Sequence, residues 1–265
     1  MSTAPSLEIQ PASAELILPL RTRHRQEVNA QIVHDSIHRR DGWALSWLLI
    51  VDGMSAGFGS VAIAGPWKGN PTSFEFYVLP EHRRRAFELF ELFLKTSAAR
   101  FFEAQTNEML LTVMVHTYGT DIASEKIVFA DGQTTAHEAV GVSLRCATPR
   151  EEILEALEQR QGGGEWVLEQ DGVEIGRGGI LFHYNRPYGD IYMDVSEAQR
   201  RRGWGRYLVQ ELKRECYELG AVPCARCSPA NVASRKTLQA AGFVPVAHII
   251  YGSLKEVRGG ADSEV

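Results

Sequence analysis

The stretch Gln199-Arg200-Arg201-Arg202-Gly203-Trp204-Gly205-Arg206 packs four arginines and two glycines into eight positions. Glycine tolerates positive φ and lets a ligand come close to the backbone. Where such a loop opens a helix, the first turn offers unpaired N–H groups and the positive end of the helix dipole. Together these suit a pyrophosphate. Arg200, Arg201, Arg202 and Arg206 add cations around that point. The same residues also make a tight turn with a solvated basic rim, and on this fragment alone both readings stand. Just upstream, His183, Asp190, Tyr192 and Asp194 bring groups able to move a proton. Strand alternation puts Asp190, Tyr192 and Asp194 on one face. A carboxylate there either takes a proton from a substrate through a water or serves as a solubility charge at a sheet edge.

Two other groups invite metal or redox chemistry. Cys224 and Cys227 form a CxxC within AVPCARCSP. As a strand, this segment points the two thiols to opposite faces. Zinc would need a second ligand pair, and none is evident. Ordinary buried thiols are expected, and no metal site. His24, His34 and His38 fall in RTRHRQEVNAQIVHDSIHRR, which reads as a surface helix carrying Val28, Ile32 and Ile37. Its histidines are expected on a solvated face rather than as ligands.

The arginine loop needs a strand before it and a helix after it. Leu208, Leu212, Cys216 and Leu219 fall at helical spacing on one face, so QRRRGWGRYLVQEL joins strand to helix. In TPREEILEALEQR, Thr148 is placed to cap a helix with Pro149 at its first position. Asp52-Gly53 and Asp171-Gly172 are hairpin signals.

Self-similarity organises the rest. WLLIVDGMSAGFG from Trp47 and WVLEQDGVEIGRG from Trp166 share Trp, four residues, Asp-Gly, three residues and Gly-x-Gly, at an offset of 119 (166 − 47). FYVLPEHRRRAFELFELFL parallels YMDVSEAQRRRGWGRYLVQEL, with Arg83 on Arg200 at 117. LEIQPAS resembles VSLRCAT, with Ala12 on Ala147 at 135. Three matches in the same order mark two copies of one α/β unit. The copies span 1–139 and 140–256, and a polar tail, 257–265, is expected to be disordered.

The first copy has lost the loop chemistry. Ala86 and Glu88 stand where the second has Gly203 and Gly205, so a carboxylate sits where an anion would be held. It is expected to complete the sheet or shape a pocket.

Composition bounds the function. Of 265 residues 44% are hydrophobic and 23% charged, with net charge −5, so bulk nucleic-acid binding is disfavoured. No apolar run approaches membrane-spanning length, and MSTAPSLEIQ lacks the pattern of a signal peptide, so a cytoplasmic protein is expected.

The second copy resembles the GNAT acetyltransferase superfamily, whose loop reads Arg/Gln-x-x-Gly-x-Gly/Ala. Arg200, Gly203 and Gly205 match it, and SPANVASRKTLQAAGF resembles that family's second block through Asn231, Ser234 and Gly242-Phe243. Asn231 and Gly242 also suit a helix cap and a helix stop. The resemblance implies acetyl-CoA as cosubstrate and a mixed, twisted sheet flanked by helices, one per copy, whose fourth and fifth strands splay. Met193, Asp194 and Val195 would then pair with the pantetheine amides, and Arg200, Arg201, Arg202, Gly203, Trp204, Gly205, Arg206, Asn231 and Ser234 would complete the cofactor site. The reaction implied is direct attack by a small-molecule or peptide amine. Asp194 and Asp190 are candidate bases. Many members place an acidic tyrosine seven residues after the asparagine. Leu238 stands there, so the acid step is either dispensable or supplied by water or a nearby tyrosine, for which Tyr251 is the candidate. A non-catalytic acyl-CoA-binding module is the alternative.

Overall fold

In the computed structural model, residues 6–32 and 35–255 are described. The 257–265 tail and His34 lie outside them. The first repeat runs β1 (Leu7–Ala12), α1 (Ala14–Val28), α2 (Asp35–His38), β2 (Ala44–Val51), β3 (Met54–Ala62), β4 (Thr72–Val78), α3 (Ala86–Ser97), β5 (Phe101–Gln105), α4 (Met109–Tyr118) and β6 (Gly119–Asp131). The second runs β7 (Val142–Cys146), α5 (Arg150–Gln159), β8 (Gly163–Gln170), β9 (Val173–Leu181), β10 (Tyr188–Val195), α6 (Trp204–Glu218), β11 (Val222–Cys227), α7 (Val232–Ala240) and β12 (Phe243–Leu254). Apart from the extra α2, the element order is the same.

Local geometry repeats as well. Asp52 and Gly53 turn the β2–β3 hairpin with φ of 50° and 77°, and Asp171 and Gly172 turn β8–β9 with 51° and 78°. Two consecutive positive φ values are what a type I′ turn requires, and Asp-Gly supplies them at low strain. Each hairpin carries a register shift at the same place, between Leu49 and Ile50 and between Leu168 and Glu169.

The chain forms two compact units. The first takes residues up to Ala30, Ile37–Ala123 and the residues from Ile249. Its strand order is β1-β2-β3-β4-β5-β12, with β4–β5 parallel and the other pairs antiparallel. The second takes Gln31–Ser36 and Ser124–His248, in the order β7-β8-β9-β10-β11-β6, with β10–β11 the parallel pair. Each unit thus takes in a strand from the other repeat. Ile249 to Ser253 of β12 pair with β5, and Ile127 to Ala130 of β6 pair with β11. The units therefore differ from the contiguous spans 1–139 and 140–256, because the strand that ends each repeat finds its pairing partner in the other.

Apolar faces follow the expected periods. Trp166, Leu168, Ile180, Ile191, Leu208 and Leu212 share one core in the second unit. Trp47, Phe76, Phe90, Phe93 and Leu111 share one in the first, with Trp47 edge-on to Phe93 at 5.7 Å. Two local readings need correction. The extra segment of the first repeat is not one surface helix, because α1 stops at Asn29 in the left-handed conformation. His24 and His38 are buried rather than solvated, with Nε2 3.5 Å from Glu108 and 2.6 Å from Glu75. Pro149, not Thr148, precedes α5 as its cap residue, since the Thr148 hydroxyl accepts instead from the Glu165 N–H at 2.9 Å. No helix among the described residues is long and apolar enough to cross a membrane.

Candidate functional site

The parallel pairing of β10 with β11 runs from Tyr188 opposite Val222 to Ile191 opposite Ala225 and stops. Beyond it, Tyr192–Val195 stay bonded to β9, and Arg226 and Cys227 stay bonded to β6. Two strands that part while each keeps its outer neighbour leave main-chain donors and acceptors unpaired on their inner edges, and these must find another partner. A cavity of about 600 Å³ opens along Met193, Asp194 and Val195.

The same cavity is lined by the loop that follows, including Gln199, Arg200, Arg201, Gly203, Gly205 and Arg206. Gly203 caps α6 with φ of 87°, and Arg201 also has positive φ, 64°. A Cβ on Gly205 would come within 3.1 Å of the Thr237 Cγ2 on α7, so a side chain there would fill the gap between the two helices. A Cβ on Gly203 would instead point at His137 Nε2, 3.2 Å away. His137 ends a strap along α6. Asp131 and the Gln133 carbonyl each lie 2.7 Å from Lys213 Nζ, Thr135 bonds Gln210 at 3.2 Å, and Gln210 bonds the His137 carbonyl at 3.3 Å. The strap buttresses the loop from the side away from the cavity.

Electrostatically the loop fits an anion. Arg201, Arg202 and Arg206 make no ion pair among the described residues, and Trp204 Nε1 and Arg206 Nε are buried without a partner. Such donors carry a desolvation cost that a phosphate oxygen would relieve. Arg202 is exposed and outside the lining residues. Arg200 lines the cavity but donates Nε to the Val195 carbonyl at 3.0 Å. In the first repeat Arg83 pairs with Glu27 and Arg85 with Glu88 at 2.5 Å, and Leu89 stands where the second has Arg206.

Helix α7 closes the far side. Asn231 Oδ1 accepts from the Ser234 N–H at 3.0 Å, so it caps the helix, and both residues line the cavity. Ala233, Lys236, Thr237 and Ala240 line it too, at the i, i+3, i+4, i+7 spacing of one helix face. Sequence reasoning missed Lys236, although that spacing, counted from Ala233, would have found it. Leu238 points the other way and is 2% exposed in the core. In the first repeat Glu108 stands in the cap position before α4.

The proton-moving candidates separate. Asp194 lines the cavity with its side chain 76% exposed, 3.6 Å from Arg200 Nη2. Asp190 is buried, its Oδ2 receiving Arg226 Nε at 3.0 Å with His183 Nε2 at 3.1 Å. Burial is the largest influence and opposes the Arg226 charge, but Asp190, Tyr184 and Glu125 together outweigh it, so the guanidinium holds its proton more tightly than usual. The Tyr192 phenol is raised by burial and by Glu165, 3.5 Å from its hydroxyl. Tyr251 lies in the first unit, opposite Glu103 on β5, and is not among the lining residues. Cys224 Sγ contacts the Gly189 carbonyl at 3.2 Å, whereas Cys227 joins the core with Ala225, so the thiols occupy opposite faces as read from the sequence.

Residues 136–243 match the acetyltransferase (GNAT) family. No curated protein matches the chain. Among solved structures, an acetyltransferase from the GNAT family of Colwellia psychrerythraea aligns with a TM-score of 0.69 at 15% identity, covering 94% of this chain and 100% of that one. A tandem GNAT protein from the clavulanic acid biosynthesis pathway aligns with a TM-score of 0.64 at 15% identity, covering 97% and 100%. A GCN5-related N-acetyltransferase from Sphaerobacter thermophilus gives 0.59 at 14%, covering 94% and 96%. At these identities the likeness speaks for the fold, a mixed sheet flanked by helices in each of two GNAT-like units.

Proposed function

Because residues 136–243 form a domain of the acetyltransferase (GNAT) family, we propose that the second unit binds acetyl-CoA and directs its acetyl group to an amine on a small molecule or peptide. One observation carries this reading: an unpaired strand edge and an unneutralised arginine loop meet in a single cavity. Arg201, Arg206 and the first-turn N–H groups of α6 hold the pyrophosphate, with Lys236 as a further cation. Met193, Asp194 and Val195 offer main-chain groups to the amides of the pantetheine arm. An N–H of that edge faces the thioester carbonyl, where negative charge builds as the amine attacks. Asp194, exposed at the cavity, takes the ammonium proton through water. Orientation on the edge supplies most of the acceleration, since both reactants are held rather than chemically altered.

Isothermal titration with acetyl-CoA should give one site per chain, and free-thiol release should follow from at least one member of a primary-amine panel. Two sites would return the first repeat to the binding role denied to it here. Tight binding with no acetylated amine would favour a module that binds acyl-CoA without turning it over.

A further inference from the structure

At the vertex where β10 and β11 part, one cation is held from two sides. Arg226 is the first β11 residue beyond the last one paired with β10. Its Nε donates to Asp190 Oδ2 at 3.0 Å and its Nη2 to His183 Nε2 at 3.1 Å. Among the described residues Nη1 has no hydrogen-bond partner, and the side chain is 29% exposed. A fork fixed at two of its three nitrogens presents the third in a defined direction. His183 Nε2 lies 3.1 Å from both Arg226 Nη2 and Asp190 Oδ2, so the three side chains form one cluster. Asp190 Oδ2 is occupied and its charge balanced by the guanidinium, while Oδ1 is buried without a hydrogen-bond partner among the described residues.

We propose that Arg226 is the electrophilic residue of the reaction, bearing the negative charge that forms on the thioester as it breaks. The inference rests on the acetyl-CoA reading above. The cavity follows the free edge from the arginine loop past Val195 to Met193. The vertex at Ile191 and Ala225 lies two residues, roughly 7 Å, farther along the strand, with Arg226 outside the lining residues. An acetyl group carried beyond Met193 along that edge meets the vertex. The freed amine nitrogen forms the C–N bond, and the carbonyl oxygen takes the negative charge. The C–S bond then breaks with its electron pair on sulfur, and sulfur takes the proton that the nitrogen releases. Arg226 transfers no proton, because a guanidinium stays charged throughout. It answers the missing acid in kind, since Leu238 faces the core and a side chain there has no path to the cavity. Asp190 and His183 are positioning residues. The first repeat supplies the contrast: Ser73 pairs with Phe102 as Asp190 pairs with Cys224, so Ala104 stands where Arg226 does. Where the loop chemistry is lost, both members of the ion pair are lost with it.

The test compares Asp190→Asn with Arg226→Gln as a double variant, which removes the cation without leaving a bare buried carboxylate. With the best amine of the panel, kcat should fall at least about 100-fold while the acetyl-CoA Kd stays within about threefold. Should the double variant unfold, Arg226→Lys carries the test, with a fall of at least about tenfold at unchanged Kd. His183→Gln, which keeps an acceptor for Nη2, should retain far more activity than His183→Ala. Near-wild kcat in the cation-free variant, or an equal loss in Kd and kcat, would overturn the inference alone. A wild-type chain that binds no acetyl-CoA or acetylates no amine would overturn both the inference and the reading beneath it.

Discussion

Arg83 and Arg200, 117 positions apart, make the same bond: each donates Nε to the carbonyl five residues earlier, Val78 at 3.1 Å and Val195 at 3.0 Å. A contact present in both units, one with an anion-binding loop and one without, belongs to the shared fold. Arg200 is a brace between strand and loop. The cation that distinguishes the second unit is Arg206, where the first has Leu89, since Arg201 is matched by Arg84.

Replacing Arg200 by Lys should therefore lower stability by about 1 kcal/mol, a low figure because the side chain is largely exposed, and weaken acetyl-CoA binding mainly through loop disorder. Arg206→Gln should leave the melting temperature in place and reduce affinity in a manner that shrinks as salt rises. Titration at two ionic strengths separates them, and equal salt dependence in both variants would refute the division.

The two glycines of the loop should fail differently. Gly203→Ala forces a Cβ into positive φ and against His137, so about 1–2 kcal/mol of stability should be lost. Gly205→Ala lies in the first turn of α6 without that strain, and its Cβ meets Thr237. Its melting temperature should hold while acetyl-CoA affinity drops. A binding loss in Gly203→Ala without any stability loss would count against the assignment.

Thiol chemistry should be confined to one residue. Burial raises the Cys216, Cys224 and Cys227 thiols, keeping them protonated and unreactive at neutral pH, whereas Cys146 is exposed. A disulfide-exchange reagent should titrate one thiol in the folded chain and four in denaturant. Rapid reaction of two in the folded chain would contradict the burial of Cys216, Cys224 and Cys227.

The alkaline limb of stability should carry a Cys216 signature. Burial, and then the Asp131 carboxylate, push this thiol up to about 12, against about 8.5 when unfolded. A raised folded value stabilises fully below the unfolded one and fades as pH climbs through the folded one. Unfolding free energy should thus fall between about pH 8.5 and 12, less steeply in Cys216→Val. Equal slopes in the two proteins would show that the thiol is ionised when folded.

Much of this was legible in the sequence because it depends on local rules. Asp-Gly turns demand positive φ, Leu208 to Leu219 keep helical period, and the Gly-x-Gly loop sits where strand meets helix. Arg226 was not legible, because its meaning depends on the parallel register that sets Asp190 beside Cys224. His24 and His38 were misread for a related reason. Their carboxylate partners, Glu108 and Glu75, lie on distant elements, and a histidine's own helix says nothing about them. Tyr251, the candidate acid, falls within the span 140–256 by sequence, whereas residues from Ile249 belong to the first unit.

That strand also sets the timetable of folding. The sheet of the first unit lacks its last member until residues 249–254 have been made, although its other strands emerge within the first 105 residues. On a ribosome adding about 5–20 residues per second, the β5 edge waits several seconds at least with an unsatisfied row of main-chain donors and acceptors. During that interval the nascent chain is open to pairing with a neighbour on the same message, so co-translational quality control, rather than the finished protein's stability, is where this architecture is most exposed.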